Sequence, residues 1–327
     1  MSADLERRSR LLSLKLRALL RGHLGLDGEP AGTPHVFAPG AAFVTDDSAW
    51  FLIDGDASRS VGPVIAWAAR QGLTVGTNII AEDGAGVAAR RAAFFRGVTV
   101  WQADERAIVP AAVAAHLPAL SPKPGHLEFA GLIEAAGAEV VTEHGVVVGE
   151  VRGLEMCRVV DDTVSGEPRL EVGMGRHDRE AFALVHGHLP APDALRQVID
   201  AVQPHREPGA DPHPLNQFGA ESLLRWNTMQ DPGAVGCVSL VPAEPPVVRT
   251  NLKDAVPCVA LGVDQEGGTV AVTFVNGIDL DAVPFALDAA DSLGAARAVL
   301  AVRARDITES TNNIADRALS PVRIVAL

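Results

Sequence analysis

The stretch between residues 149 and 188 combines carboxylates, arginines and histidines with apolar, strand-like positions. Carboxylate oxygens suit Mg²⁺ or Mn²⁺, and a neighbouring histidine or arginine can polarise a substrate. A metal-dependent hydrolytic site is therefore one chemistry that this stretch could perform. Its candidate catalytic residues are Glu155, Glu171, Arg176, His177, Asp178 and Arg179, of which Glu155 and Glu171 would be the metal ligands.

Strand alternation places Glu155 on the same side as the apolar residues Val151 and Val159, unless the strand is bulged near Gly153. A carboxylate on an apolar face requires a cation, a metal ion or a proton. The arginines and the histidine at positions 176–179 are its candidate partners. The alternative is a hairpin whose charges are solvated or joined in structural ion pairs.

Two strands and a helix must position these residues. Residues 146–160 are predicted to form one strand that is broken or bulged at Gly149 and Gly153. Residues 169–174 are predicted to form a second strand, joined to the first by the turn-rich segment DDTVSGEP. A helix is predicted to follow, with Asp178 in its first turn, where free N–H groups favour anions. The two glutamates are thus expected on adjoining strands, and the other candidates at the start of the helix.

The element order around this hairpin resembles the core of restriction-endonuclease-like nucleases. A helix over residues 126–136, three strands between residues 139 and 174, and a following helix carry the resemblance. It implies an acidic residue and a Glu-x-Lys pair on the second and third strands. The third strand here reads Glu171-Val172-Gly173, without the lysine, so the resemblance implies at most a degenerate phosphodiesterase.

Composition excludes several classes of protein. The length of 327 residues indicates two or three domains. The hydrophobic content of 47% indicates that they are folded. A net charge of −13 opposes general nucleic-acid binding, which needs a positive field. The three cysteines show no CxxC spacing, so a reducing, cytoplasmic location is expected. No apolar run reaches the roughly 20 residues that a membrane span requires.

The same predicted element order occurs on both sides of the central stretch. Residues 40–103 and 257–327 each predict two strands, a helix, a strand, a helix and a strand. The predicted fold class is α/β (mixed α+β), with two similar ββαβαβ units flanking a central α-βββ-α insert in a pseudo-twofold arrangement. Coincidence of a common α/β order is the alternative, because identity between the two segments is low.

The predicted organisation of the chain has five parts. They are an amphipathic N-terminal helix (1–25), an N-terminal α/β unit (40–103), a central α+β region with the charged hairpin (120–205), a Pro-rich connection and helix (206–256), and a C-terminal α/β unit (257–327). Leucines recur at helical spacing in the first helix, which predicts a homo-oligomer formed through it and no membrane contact.

Other motifs are explained by local structure. Asp54 and Asp56 end a predicted strand, and Gly84 and Gly86 lie between a strand and a helix, as in ordinary turns. No cofactor is assigned beyond Mg²⁺ or Mn²⁺ at the glutamates, and enzymatic activity stays open. The predicted function is a non-catalytic assembly or regulatory protein. The alternative is a divalent-metal-dependent hydrolase that uses Glu155 and Glu171.

Overall fold

A computed structural model describes residues 3–73, 75–104, 107–186, 189–207, 209–211, 213–249 and 256–327. Within these ranges, the side chains at positions 3, 5, 176, 177, 183, 185 and 186 are outside the description. The described residues form helices and strands in three separate sheets, which confirms the mixed α/β class.

The helices and strands have the following bounds. The α-helices of the described residues are α1 Ala3–His23, α2 Val61–Arg70, α3 Ala85–Ala92, α4 Pro124–Leu127, α5 Ala130–Ala135, α6 Arg176–His186, α7 Ala191–Val202, α8 Ala220–Gln230, α9 Ala282–Ser292 and α10 Glu309–Ala315. The strands are β1 Thr33–Phe37, β2 Gly40–Val44, β3 Ser48–Ile53, β4 Gly76–Ala81, β5 Val98–Asp104, β6 Ala107–Pro110, β7 Glu139–Glu143, β8 Val146–Val151, β9 Leu154–Asp161, β10 Pro168–Val172, β11 Cys237–Ala243, β12 Cys258–Asp264, β13 Thr269–Val275, β14 Arg297–Val302 and β15 Val322–Ala326.

The first sheet contains β1 to β6 in sequence order. Strands β3, β4 and β5 are parallel, while the pairs β1–β2, β2–β3 and β5–β6 are antiparallel. Alternation along β3 gives this sheet two apolar faces. Phe51 faces the core that contains α2 and α3, whereas Trp50 and Leu52 pack against Leu16 and Leu20 of α1. The N-terminal helix therefore covers the sheet of its own unit.

The last sheet repeats this architecture. Strands β11 to β15 lie in sequence order, with two antiparallel pairs followed by two parallel pairs, as in β1 to β5. Helix α8 covers one face through Leu224, which packs with Val272 and Phe274. The other face packs against α9 and α10, where Ala271 and Ile314 join a common core. Each set thus also includes a leading helix and edge strand, namely α1–β1 and α8–β11.

Helices α2 and α3 pack against α9 and α10 between the two sheets. One hydrophobic core contains Val64 and Ala88 from the first set and Ala286 and Ile314 from the second. Phe95 and Ala318, which follow α3 and α10, form an isolated antiparallel bridge. The two outer units therefore share one core, and their pseudo-twofold relation stays a prediction.

The central sheet is an antiparallel meander of β7 to β10, so it has four strands where three were predicted. The strand predicted over residues 146–160 is broken at one of its two predicted irregularities, by a two-residue turn at Arg152 and Gly153 with φ of 47° and 78°. Positive φ at both central residues is the geometry of a tight hairpin turn, so the chain reverses there. One face of this sheet packs on α5 and α7, mainly through Ile133, Leu195 and Ile199.

No helix among the described residues combines the length and apolar content that a membrane span requires.

Candidate functional site

The second face of the central sheet is charged. Glu150 of β8 pairs with Glu155 of β9. The residue before Glu150, Gly149, pairs with Cys157, so Met156 of β9 has no partner of its own. Two residues of β9 therefore oppose one of β8, which is a β-bulge at Met156. Both Met156 and Cys157 are buried as a result. The bulge reverses the alternation, so Glu155 and Arg158 share the charged face.

This bulge corrects the predicted orientation of Glu155. Regular alternation placed its side chain beside Val151 and Val159, with a bulge near Gly153 as the exception. The bulge lies at Met156, opposite the other predicted irregularity at Gly149, and Val159 remains in the apolar core on the other face. Glu155 is 13% exposed and has arginine partners, so its burial carries no unpaired charge.

Arg179 links the two predicted metal ligands. Its Nη1 donates to Oε1 of Glu155 at 2.8 Å, and its Nε donates to Oε2 of Glu171 at 3.2 Å. Arg158 donates to both carboxylate oxygens of Glu155, at 3.0 and 2.8 Å. Arg169 donates to Oε1 of Glu171 at 2.7 Å. Both carboxylates therefore hold charge-assisted hydrogen bonds from the chain's own arginines.

The other predicted catalytic residues are Arg176, His177 and Asp178. Asp178 lies in the first turn of α6, as predicted, and its Oδ2 accepts a hydrogen bond from the Met174 N–H at 2.7 Å. It therefore closes the Gly173–Gly175 loop before the helix. The side chains of Arg176 and His177 are outside the described part of the chain. No group of three or more His, Cys, Asp or Glu residues is placed to hold a metal ion within the described ranges.

Glu155 and Glu171 line different cavities. Glu155 lines a cavity of about 280 Å³ between the central sheet, the start of α8 and residues 248–249, which we call the hairpin cavity. Glu171 lines a second cavity of about 560 Å³ beside β10, together with Leu170 and Leu189. Arg179 lines both cavities. The two carboxylates thus meet at one guanidinium but do not share one concave site.

Two glutamates that line the hairpin cavity take part in further ion pairs. Arg225 of α8 is 3.3 Å from Oε2 of Glu150, and both side chains are buried. Burial raises the pKa of Glu150 above its ordinary value, although the Arg225 guanidinium opposes this rise. Arg249 lies 3.8 Å from Glu143. The cavity is therefore bounded on one side by the central sheet and on the other by residues of the C-terminal half.

Two buried polar atoms at this cavity lack a hydrogen-bond partner among the described residues. They are Nε2 of His144 and Nε of Arg249. The His144 side chain is only 7% exposed, and its backbone N–H donates to Glu244 at 3.0 Å, with Nδ1 3.7 Å from the same carboxylate. Buried polar groups without partners are uncommon and call for an explanation. Both side chains line the cavity.

Sequence reasoning missed these two residues. His144 occupies the β7–β8 turn with φ of 49°, and the His-Gly pair at positions 144–145 is the only local signal of that turn. Arg249 lies more than 100 positions further along the chain, in a Pro-rich segment. No spacing connects them, because their proximity comes from docking of the central sheet against the C-terminal unit.

A buried thiol lies beneath Arg249. Nη2 of Arg249 donates a hydrogen bond to Sγ of Cys258 at 3.1 Å, and Oγ of Ser222 lies 3.0 Å from the same sulfur. Cys258 is fully buried at the start of β12, while Ser222 lines the cavity. The contact fixes one end of the Arg249 guanidinium, while its Nε is buried without a partner among the described residues.

The carboxyl ends of the parallel strands carry turn chemistry. Asp56 accepts a hydrogen bond from the Ser58 N–H at 2.9 Å, and Asp54 pairs with Arg8. Gly84 has φ of +71° and is packed so closely against Asp56 that a Cβ would collide with it. In open α/β sheets, ligands bind where the strand order reverses, and both outer sheets run in unbroken sequence order. The hairpin cavity is thus the better candidate site.

No protein-family model, no curated protein and no solved structure matches this chain.

Proposed function

We propose that this chain is a non-catalytic regulatory protein that binds a small polar metabolite in the hairpin cavity. The observation that carries the proposal is the pair of unsatisfied buried atoms, Nε2 of His144 and Nε of Arg249, on two side chains that line one cavity. A ligand that hydrogen-bonds to both would remove the cost of leaving them unpaired. Three cysteines without disulfides suit a cytoplasmic protein of this kind.

The pairing of the charged residues supports binding rather than catalysis. A general base needs a free lone pair within reach of the substrate proton. Glu155 instead accepts hydrogen bonds from Arg158 and Arg179, and Glu171 from Arg169 and Arg179. Each of the four carboxylate oxygens accepts at least one of these hydrogen bonds, which leaves fewer lone pairs for a proton or a metal ion.

The position of the cavity supports regulation. Glu143, His144 and Glu155 come from the central sheet, whereas Ser222 and Arg249 come from the C-terminal half. A ligand held by both sides would favour the arrangement in which they are docked. Binding would therefore strengthen the docking of the central region against the C-terminal half. A partner could recognise this docked arrangement.

We further propose self-association through the outer surface of α1. Leu16, Leu19 and Leu20 are buried against the first sheet, but Leu11 and Leu14 are 57% and 46% exposed. They lie three residues apart and therefore on one side of the helix. The double substitution Leu11→Glu/Leu14→Glu should lower the mass in light scattering, while Val164→Glu in an exposed turn should not. An unchanged mass in the double variant would remove this part of the proposal.

The metal-dependent hydrolase is the competing hypothesis. The observation in its favour is that Glu155 and Glu171 converge on one cationic group, the guanidinium of Arg179. A divalent ion in that position would need Arg179 to move away, with loss of both hydrogen bonds. Titration with Mn²⁺ separates the two hypotheses, because only the hydrolase requires a bound divalent ion.

The test of the regulatory proposal is a screen of polar metabolites by thermal unfolding of the full chain. At least one compound should raise the melting temperature of the wild type and leave His144→Asn unchanged. Asparagine suits this position because it tolerates the left-handed backbone there. Absence of any shift that depends on His144 would refute the proposal.

A further inference from the structure

We infer that the ligand of the hairpin cavity is a small zwitterion of amino-acid size, with separate carboxylate and ammonium groups. The inference rests on the proposed function and specifies its ligand class. It follows from three properties of the cavity, namely the charges at its wall, the two unsatisfied atoms and its volume.

The charges at the wall exclude a ligand of one sign. Four carboxylates line the cavity: Glu143, Glu150, Glu155 and Glu221. Three guanidinium groups line it as well: Arg158, Arg179 and Arg249. A simple anion would be close to the carboxylates, and a simple cation would be close to the guanidinium groups, each at a cost in a partly buried site. A ligand with both charges can place each one beside its opposite.

Arg249 provides the contact for the ligand carboxylate. Its Nη2 is engaged with Cys258, but its Nε–H is a donor without an acceptor among the described residues. Arginine can only donate, so the ligand atom here must be an acceptor. A carboxylate oxygen satisfies both this geometry and the guanidinium charge, because hydrogen bonds between ionised groups are the strongest of their kind.

His144 provides the contact for a ligand donor. Its Nδ1 faces the Glu244 carboxylate at 3.7 Å, which favours a proton on Nδ1. In the neutral ring, the buried Nε2 is then an acceptor and requires an N–H or O–H donor from the ligand. The ligand ammonium is such a donor, and Glu143 of the same cavity would compensate its charge.

The volume sets the size of the ligand. The cavity of about 280 Å³ lies just below the range of roughly 300–1,000 Å³ that is typical of sites for drug-sized molecules. Nucleotides and oligosaccharides are therefore too large to be enclosed. A free amino acid or a close relative has the two charged groups and fits the available space.

Calorimetric titration of the full-length protein with individual proteinogenic amino acids tests the inference. At least one should bind with a stoichiometry of one, while acetate and propylamine, which carry one charge each, should not bind. His144→Asn and Arg249→Lys should each weaken binding about tenfold or more, because each removes a hydrogen bond to a charged group. Arg249→Lys keeps the positive charge beside Cys258, and Arg196→Lys at an exposed position is the matched control.

The outcomes separate this inference from the proposed function. If no amino acid binds but another metabolite gives a thermal shift that depends on His144, the ligand class is wrong and the regulatory proposal stands. If acetate or propylamine bound as tightly as an amino acid, the inference that the ligand is a zwitterion would also be wrong. The same is true if both cavity variants bind the amino acid like the wild type. If no metabolite gives a shift that depends on His144, both proposals fail together.

Discussion

Arg179 donates a hydrogen bond from Nη1 to Oε1 of Glu155 at 2.8 Å, although Arg179 belongs to α6 and Glu155 to β9. Both side chains are almost buried, at 11% and 13% exposure. The same guanidinium reaches Glu171 through Nε. A single arginine therefore attaches α6 to two strands of the central sheet and neutralises the charge that the β-bulge brings to one face.

Loss of this arginine should destabilise the central region. We expect Arg179→Met to lower the free energy of unfolding by about 2–3 kcal/mol, because Glu155 and Glu171 each lose a charge-assisted hydrogen bond. Arg158 still pairs with Glu155, which limits the loss. Urea denaturation followed by circular dichroism measures the effect. Arg196→Met, which removes an exposed ion pair, should change stability by less than about 1 kcal/mol. Equal effects in the two variants would contradict this role of Arg179.

Divalent ions should not stabilise the wild-type protein. The Arg179 guanidinium already occupies the position between Glu155 and Glu171, so an Mn²⁺ ion would have to displace it. We expect the same melting temperature with Mn²⁺ as with EDTA. An Mn²⁺-dependent rise that Glu171→Gln abolishes would support the hydrolase instead of the regulatory protein.

The element order was predictable because its signals are local. Periodicity, Pro63 and Pro284 near helix starts, and the turn residues after Asp161 predict the two ββαβαβ sets and the β9–β10 connection. The leading pairs α1–β1 and α8–β11 were not recognised as parts of these sets. Their membership depends on which sheet face they cover, and this is decided by tertiary packing.

The geometry of the site was less predictable. Glu155, Glu171 and Arg179 were selected from composition and strand alternation, and hydrogen bonds do connect them. The predicted irregularity at Gly149 is confirmed, because Gly149 lies at the register shift opposite the bulge at Met156. Alternation alone still gave the wrong face for Glu155, because only the paired strand shows which residue of β9 is the extra one. The hairpin cavity depends on contacts between distant segments, for which a single sequence has no local signal.

Stability should fall with rising pH because of Glu150. Burial raises the pKa of its carboxyl above the value of about 4.3 in an unfolded chain. The folded state thus binds the proton more tightly, so the stabilisation is complete below pH of about 4.3 and is lost as pH rises through the folded-state pKa. Glu150→Gln cannot ionise, and we expect wild-type stability to fall relative to this variant as the pH rises above about 4.3.

Urea denaturation at several pH values measures this difference for wild type and Glu150→Gln. Glu128→Gln, at an exposed position after α4, controls for a general effect of removing one negative charge. Parallel stability curves for the wild type and Glu150→Gln would contradict the raised pKa.

The packing of the two outer units should depend on Asp288 of α9. This fully buried carboxylate accepts hydrogen bonds from Arg90 at 2.6 and 3.1 Å and from Arg91 at 3.1 Å, both in α3. We expect Asp288→Asn to lower the free energy of unfolding by about 3–5 kcal/mol, since two buried guanidinium groups lose their shared partner. Asp291→Asn, in the same helix but 57% exposed, should cost less than about 1 kcal/mol. Urea denaturation compares the two variants, and a smaller loss for Asp288→Asn than for Asp291→Asn would contradict this role of Asp288.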